Sequence, residues 1–176
     1  MTPEKLSAYM GVLTRMVYQD GNLLWANAWK KQLNGTIAGR EDSDGYRRIH
    51  IPSIGMIGVH RLIFLLHRGF LPEFVDHIDG NPRNNRIENL RPATRHENAW
   101  NVKTPRTNTS GRKGVYYLKS SGKWQVSIRV NCKSKYVGVF ETFEEACTAR
   151  DRAEQEFHGE YRRTNESTGV ADEQRI

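Results

Sequence analysis

The chain has 176 residues, enough for one or two small domains, and an apolar content of 37% that supports only modest cores. Its formal charge of +7 and pI near 9.6 point to a polyanionic partner. No apolar run approaches membrane-spanning length, the opening M-T-P-E-K-L-S carries Glu4 and lacks a signal-peptide core, and Cys132 and Cys147 are too few for a disulfide scaffold. A membrane-spanning protein and a disulfide-stapled secreted domain are thereby set aside. A cytoplasmic protein with reduced thiols and no obligate protein partner is expected.

Residues 1–58 are the least informative. Leu6 to Tyr18 suits a short amphipathic helix, or a helix followed by a strand. Asp20-Gly21 before Leu23, Leu24 and Trp25 reads as a turn into a strand, and the alternation of Y-R-R-I-H-I at 46–51 after Asp44-Gly45 predicts another. Lys30, Lys31, Arg47 and Arg48 are candidate backbone-phosphate contacts, or simply solvated surface charges. From His60 the pattern turns helical: Leu62, Ile63, Leu65 and Leu66 form a broad apolar face, and Gly69 is a natural stop. Arg61 and Arg68 fall on the polar side as phosphate clamps, and His60 reads as a packed histidine bracing the hairpin downstream of it rather than a ligand.

Asp76 to Asn98 concentrates the chemistry. Phe74, Val75 and Ile78 make a short strand bearing Asp76 and His77, Asp79-Gly80-Asn81-Pro82 is strong turn chemistry, and Ile87 to Arg91 can return as a second strand. Thr94 with Glu97 has capping-box spacing for a helix running to about Lys103, before Pro105. In that order of elements Asn98 can face Asp76 and His77. Phosphodiester hydrolysis needs a base for water and positive charge for the phosphate and leaving oxygen. A neutral imidazole such as His77 supplies the first. A hard divalent cation on one or two oxygens, for which Asp76 and Asn98 are suited, supplies the second. Neighbours in a strand point to opposite sides of the pleat, so a bulge or bend is expected at Asp76-His77. Read singly, Asn84, Asn85, Asn89 and Asn98 are caps or turn formers and an Asp-His pair is surface decoration; the whole constellation in this order favours function. His96 lies two positions from Asn98 along the helix, turned well away from it, and is expected to touch phosphate or solvent at most.

V-H-R-L at 59–62, D-H-I-D-G-N at 76–81, N-N-R-I-E-N-L-R at 84–91 and E-N at 97–98 together resemble the HNH family of homing and phage endonucleases. The resemblance implies a ββα-metal core in an α+β fold, with a strand-rich lead-in and D-G-Y turn. It also implies Asp76 and Asn98 as metal ligands, His77 as general base and Asn89 as the residue bracing the loop between the strands. Asn98 stands where many relatives have His, so this is the H-N-N variant, which favours magnesium or manganese. Without a flanking Cys-x-x-Cys pair a structural zinc is not indicated. A prokaryotic or phage-infected host cell is the implied setting.

T-P-R-T-N-T-S-G-R at 104–112 is polar and holds both Pro and Gly, so it reads as a linker between an HNH domain at 1–103 (core 59–103) and a second domain at 113–163, with a tail at 164–176. From Asn101 to Phe140 there are nine Lys or Arg and no acidic residue. Strands are expected at Gly114–Lys119, Lys123–Val130 and Lys135–Phe140, joined through Ser121-Gly122 and a 131–134 turn. In the middle strand Trp124, Val126, Ile128 and Val130 share one face and Lys123, Gln125, Ser127 and Arg129 the other. Thr142 and Glu145 cap a helix ending near Gly159, whose Phe143, Ala146, Cys147, Ala149, Ala153 and Phe157 can cover the apolar face. A three-stranded antiparallel sheet on one helix, with its other face basic, suits a DNA groove. The stretch from S-G-R-K-G-V-Y at 110–116 to F-H-G-E-Y at 157–161 resembles the APETALA/ethylene-response-factor DNA-binding domain. That resemblance places Lys113, Tyr116, Gln125, Ser127, Arg129 and Tyr136 toward DNA. The expected function is a metal-dependent endonuclease acting on double-stranded DNA, by nicking or by cutting both strands. A non-catalytic sequence-specific DNA-binding regulator is the alternative, and an RNA-binding protein is a third reading.

Overall fold

The computed structural model describes residues 2–52, 54–101 and 108–161. Packing divides the chain into two units, 1–95 and 96–176, with the division just inside a helix and upstream of the expected linker. Residues 104–107 of that linker, the expected helix end at Lys103 and Pro105, and the tail at 164–176 lie outside the described residues.

The first unit begins with α1 (Pro3–Leu13), whose N-cap Thr2 accepts from the Lys5 N–H. The hairpin of β1 (Met16–Gln19) and β2 (Asn22–Trp25) follows; Gln19 pairs with Asn22 across Asp20-Gly21, both at positive φ, so Leu6 to Tyr18 is a helix followed by a strand. A second antiparallel sheet, ordered β3-β4-β5, is built from Arg40–Glu41, Arg47–Ile51 and Gly55–Gly58 and turns Ile49, Ile51 and Ile57 inward. α2 (Val59–Arg68) then crosses the core and stops at Gly69, which takes the left-handed conformation at φ 75°. Val59, Leu62, Ile63, Phe64 and Leu65 are all buried, so the middle of α2 is wrapped on nearly every side. Leu66, expected inside, is 42% exposed while Phe64 is 1% exposed. On a helix covered all round, depth depends on position along the axis, and Leu66 sits in the last turn.

β6 (Phe74–His77) and β7 (Leu90–Ala93) form the next hairpin. The expected strand at 87–91 is corrected: Ile87–Asn89 is a 3₁₀ turn closed by Asn89 N–H donating to the Arg86 carbonyl, and pairing starts only at Leu90. The Tyr18 hydroxyl accepts from the Ile87 N–H, tying the first hairpin to this loop.

In the second unit α3 runs only to Trp100 from its start at Arg95. β8 (Val115–Leu118), β9 (Lys123–Val130) and β10 (Lys133–Phe140) form an antiparallel sheet ordered β10-β9-β8, and α4 (Phe143–His158) covers one face under a complete Thr142–Glu145 capping box. The β9–β10 connection is tighter than the expected 131–134 turn. Asn131 and Cys132 both have positive φ (50° and 64°) and make a two-residue loop, so β10 begins at Lys133. A register shift between Tyr136 and Gly138 inserts Val137, which packs inward, and returns Phe140 to the apolar side opposite Trp124.

The face of α4 turned to the sheet is more polar than expected. Ala146 and Ala153 are buried on it, but so are Arg150, Glu154 and His158, whereas Cys147, Ala149 and Phe157 are only partly covered. Arg150 donates to the Ser127 carbonyl at 2.9 Å and pairs with Glu154 at 2.9 Å. Glu154 also pairs with Arg112 at 3.1 Å, and His158 Nε2 meets the Arg129 carbonyl at 2.9 Å. Gly114 must be glycine, because at φ 79° a Cβ would run into the Ser127 carbonyl and press on the Arg150 guanidinium. The observed class is α+β, with small antiparallel sheets and separate helices. No helix among the described residues is long and apolar enough to cross a membrane.

Candidate active site

Asp76 and His77 end β6, and each is 4% exposed. The ladder to β7 keeps unbroken register, pairing Asp76 with Arg91 and His77 with Leu90. The expected bulge is therefore absent. Successive side chains leave opposite faces of the pleat, and both faces are covered, which is why two adjacent polar residues are buried together.

Arg91, directly across the ladder from Asp76, donates to Asp76 Oδ2 from Nε at 2.9 Å and from Nη2 at 2.7 Å. Two charge-assisted bonds converging on one oxygen fix the carboxylate plane. On the other side His77 Nε2 lies 2.9 Å from Oδ1 of buried Asn85. With Oδ1 assigned as the acceptor, Nε2 carries the proton and Nδ1 holds the lone pair, the form a general base requires.

Two more rings enclose His77. Its centroid is 5.0 Å from that of His60 and 5.8 Å from that of Tyr46, which are themselves 5.6 Å apart. His60 sits at the start of α2 behind Gly58, where a Cβ would collide with the His60 ring. Burial first, then repulsion from His77, Arg61 and Arg48, pushes the His60 imidazole down to about 3, so it is neutral at ordinary pH. Burial, followed by the charge of Asp76, raises the Tyr46 phenol and keeps it protonated.

Asn89 binds across the loop between the strands. Its Oδ1 accepts from the Asp79 N–H at 3.0 Å, and its Nδ2 donates to Asp79 Oδ1 at 3.0 Å and to the Asn84 carbonyl at 2.7 Å. Asp79 further accepts from the Asn81 N–H at 2.8 Å and the Asn84 amide at 2.7 Å. Burial alone would raise this carboxyl, but the donors from Asn81, Asn84 and Asn89 outweigh it and hold Asp79 below the usual carboxylate range. The loop is thus closed on itself by side chains, as its D-G-N turn chemistry requires.

Arg61 donates to the carbonyls of Glu73 (2.8 Å) and Pro72 (3.1 Å), anchoring the segment that leads into β6. Arg48 pairs with Asp42 at 2.7 Å and Arg47 with Glu41 at 4.0 Å, so both are committed within the unit. In the second unit Asn98 is half-buried on α3, and His96 Nδ1 lies 3.4 Å from Cys132 Sγ, a contact with no local signal in the chain. On the open face of the sheet Tyr116 pairs with Gln125 and Tyr136 with Ser127, while Arg129 is exposed. Tyr116 and Tyr136 are 52% and 62% exposed. Lys113 Nζ reaches the Ala99 carbonyl at 3.4 Å.

Among the described residues no group of three or more His, Cys, Asp or Glu could hold a metal ion. These residues therefore do not build an all-protein cage.

Sequence reasoning missed three residues of this site. Arg91 was within reach, since the strand-turn-strand count brings it opposite Asp76 once register is fixed. Asn85 and Tyr46 meet His77 only through the tertiary fold and leave no local signal.

A family model described as HNH endonuclease matches residues 58–100. Protein 3.8 of Escherichia phage T7 is 38% identical over 90 residues, spanning 51% of this chain and 74% of that protein. A protein of Acanthamoeba polyphaga mimivirus described as an uncharacterized HNH endonuclease is 32% identical over 115 residues, 64% of this chain and 59% of that one. No solved structure matches the chain. The matched segment begins at the turn into α2 and runs through the β6–β7 hairpin to α3, so the chain carries an HNH endonuclease domain at residues 58–100.

Proposed function

We propose that this chain is a metal-dependent endonuclease that hydrolyses phosphodiester bonds of double-stranded DNA, with His77 as general base. The observation that carries the proposal is the buried His77–Asn85 pair, which sets the imidazole tautomer within the family-matched segment. A divalent ion, magnesium or manganese, would supply positive charge to the scissile phosphate and the leaving oxygen, and Asp76 and Asn98 are the oxygen donors that would hold it. His77 takes the proton of the attacking water at Nδ1, while Asn85 keeps Nε2 protonated and the ring in place. Neutral His60 beside it adds no positive charge to the pocket. Asn89 holds the Asp79–Asn84 loop closed so that the hairpin keeps one shape.

The second unit is proposed to grip DNA through Lys113, Tyr116, Gln125, Ser127, Arg129 and Tyr136. The support is a face that is polar by alternation, exposed at both tyrosines and opposite the helix-covered side. An arginine has five N–H donors, and those of Arg61 not used by the two carbonyls are assigned to phosphate. Incubating supercoiled plasmid with the protein and magnesium tests the reading. Nicked or linear product should appear and vanish with chelator, with Asp76→Ala and with Asn98→Ala. Retained retardation of labelled duplex without any cutting would instead favour a non-catalytic DNA-binding regulator.

A further inference from the structure

The loop after β2 holds a tryptophan that is fixed in place yet left in water. Trp29 is 63% exposed. Around it the backbone is tied down: Ala26 and Asn27 N–H both donate to the Arg15 carbonyl (2.8 and 3.1 Å), Ala28 N–H to Asn34 Oδ1 (2.8 Å) and Gly35 N–H to the Trp25 carbonyl (2.7 Å). Arg15 Nη1 donates to the Asn27 carbonyl at 3.0 Å, which sets its guanidinium over the Trp29 ring, 4.5 Å from the centroid. Trp25 meets the same ring edge-on at 5.8 Å. Arg15 covers one face of the indole and Trp25 meets the ring at a steep angle, yet most of the residue remains in solvent. An aromatic ring held this way loses little conformational entropy when a flat partner stacks on it.

The surroundings select the partner's charge. Lys30 and Lys31 follow Trp29, both exposed, and from Gly21 to Arg40 the chain carries no acidic residue. The Arg15 charge lies against the ring as well. A protein docking site centred on an apolar residue has no need of these three neighbouring cations, whereas a nucleic acid strand needs both a π-face and cations. Bases inside a duplex have their faces covered by neighbours, so an exposed ring fits an unpaired base.

We infer that Trp29, backed by Arg15 and flanked by Lys30 and Lys31, is a stacking platform for an unpaired DNA base, with the lysines on the phosphates beside it. The site lies outside the candidate catalytic hairpin and does not depend on cleavage.

The test uses the full chain in chelator, so that binding is read without hydrolysis, with fluorescein-labelled oligo(dT), a duplex bearing a single-stranded overhang and a blunt duplex as probes. Trp29→Ala should weaken the single strand and the overhang by roughly 5- to 150-fold, the worth of one stacked base, and leave the blunt duplex within about twofold. Trp29→Phe should recover most of the loss, because a benzene ring also stacks. Replacing Lys30 and Lys31 with Gln should flatten the salt dependence for oligo(dT) by roughly 0.7 in log–log slope per lysine. Equal loss on the blunt duplex, or no loss on any probe with the fold intact by circular dichroism, would overturn the inference. If Trp29→Ala unfolded the chain, the lysine variants would decide by the same slope, an unchanged slope counting against it. Failure of plasmid cleavage with normal binding behaviour would bear on the nuclease reading alone.

Discussion

In the first unit sixteen buried apolar residues among those described, from Tyr9 to Leu90, pack into one cluster, and the polar site sits at its margin around Asp76 and His77. In the second the buried apolar cluster is Val115, Val126 and Ala146, with partly covered Trp124, Val137, Phe140 and Phe143 around it, and charged side chains fill much of the space under the sheet. Both units therefore bury ions, but in different circumstances. The first has a large apolar cluster, with its buried imidazoles and carboxylate at the margin. The second has a small one, and the Arg112–Glu154–Arg150 chain with its bond to the Ser127 carbonyl helps hold helix to sheet.

The largest expected effect is chemical and belongs to the first unit. His77→Ala should lower plasmid cleavage by about 10²–10⁴-fold at unchanged DNA affinity, and it should also lower the melting transition because it opens a cavity and leaves buried Asn85 without its partner. Asn85→Ala should also slow cleavage by leaving the ring unfixed, and a variant that cut at the wild-type rate would remove Asn85 from the proposed machinery.

Next comes the second unit's network. Glu154→Ala leaves buried Arg150 without its carboxylate, while Arg112 keeps Asp151, and should cost about 3–5 kcal/mol in urea unfolding. Joint replacement of Arg150 and Glu154 by Met and Leu should cost much less, since no uncompensated charge then remains. If the single and joint changes cost the same, the contrast between the units fails.

Acid should act on both units in one direction. His60 takes up its proton near 6.5 when unfolded but only near 3 when folded, so protonation favours the unfolded chain. Its contribution is complete above about 6.5 and is lost as the pH falls from there toward 3. The His158 imidazole, lowered mainly by burial, has the same sign in the second unit. Urea midpoints at neutral pH and in mild acid should fall less for His60→Asn than for the native chain, and equal falls would clear His60 as a source. The smallest effect is at a helix end: Thr142→Ala removes the α4 cap and should cost about 1 kcal/mol, seen as a small shift in the same urea curve.

Much of the architecture is legible in the chain where the signal is local. Asp79-Gly80-Asn81-Pro82 marks the turn, Gly69 the end of α2, Thr142 and Glu145 the start of α4, and alternation in β9 both faces of the second sheet. The inward face of α4 is harder to read, because Arg150 and Glu154 look like surface charges although they share one helical stripe with Ala146 and Ala153. The spacing shows the stripe, and only the presence of partners underneath reveals that the charges stay inside. The return strand reads as starting too early because Ile87 favours extended backbone, while the Asn89 side chain holds that stretch in a turn.

The sequence by itself determined the HNH endonuclease domain at 58–100 and the order of elements that carries it, because motifs, turn residues and periodicity act over a few positions. Only the tertiary structure decided that His77 meets Asn85, His60 and Tyr46, that Asp76 is held by Arg91, and that Trp29 is fixed by Arg15 yet largely exposed. Those relations join positions brought together by chain folding, where burial and charge neutralisation, rather than local preference, choose the partner.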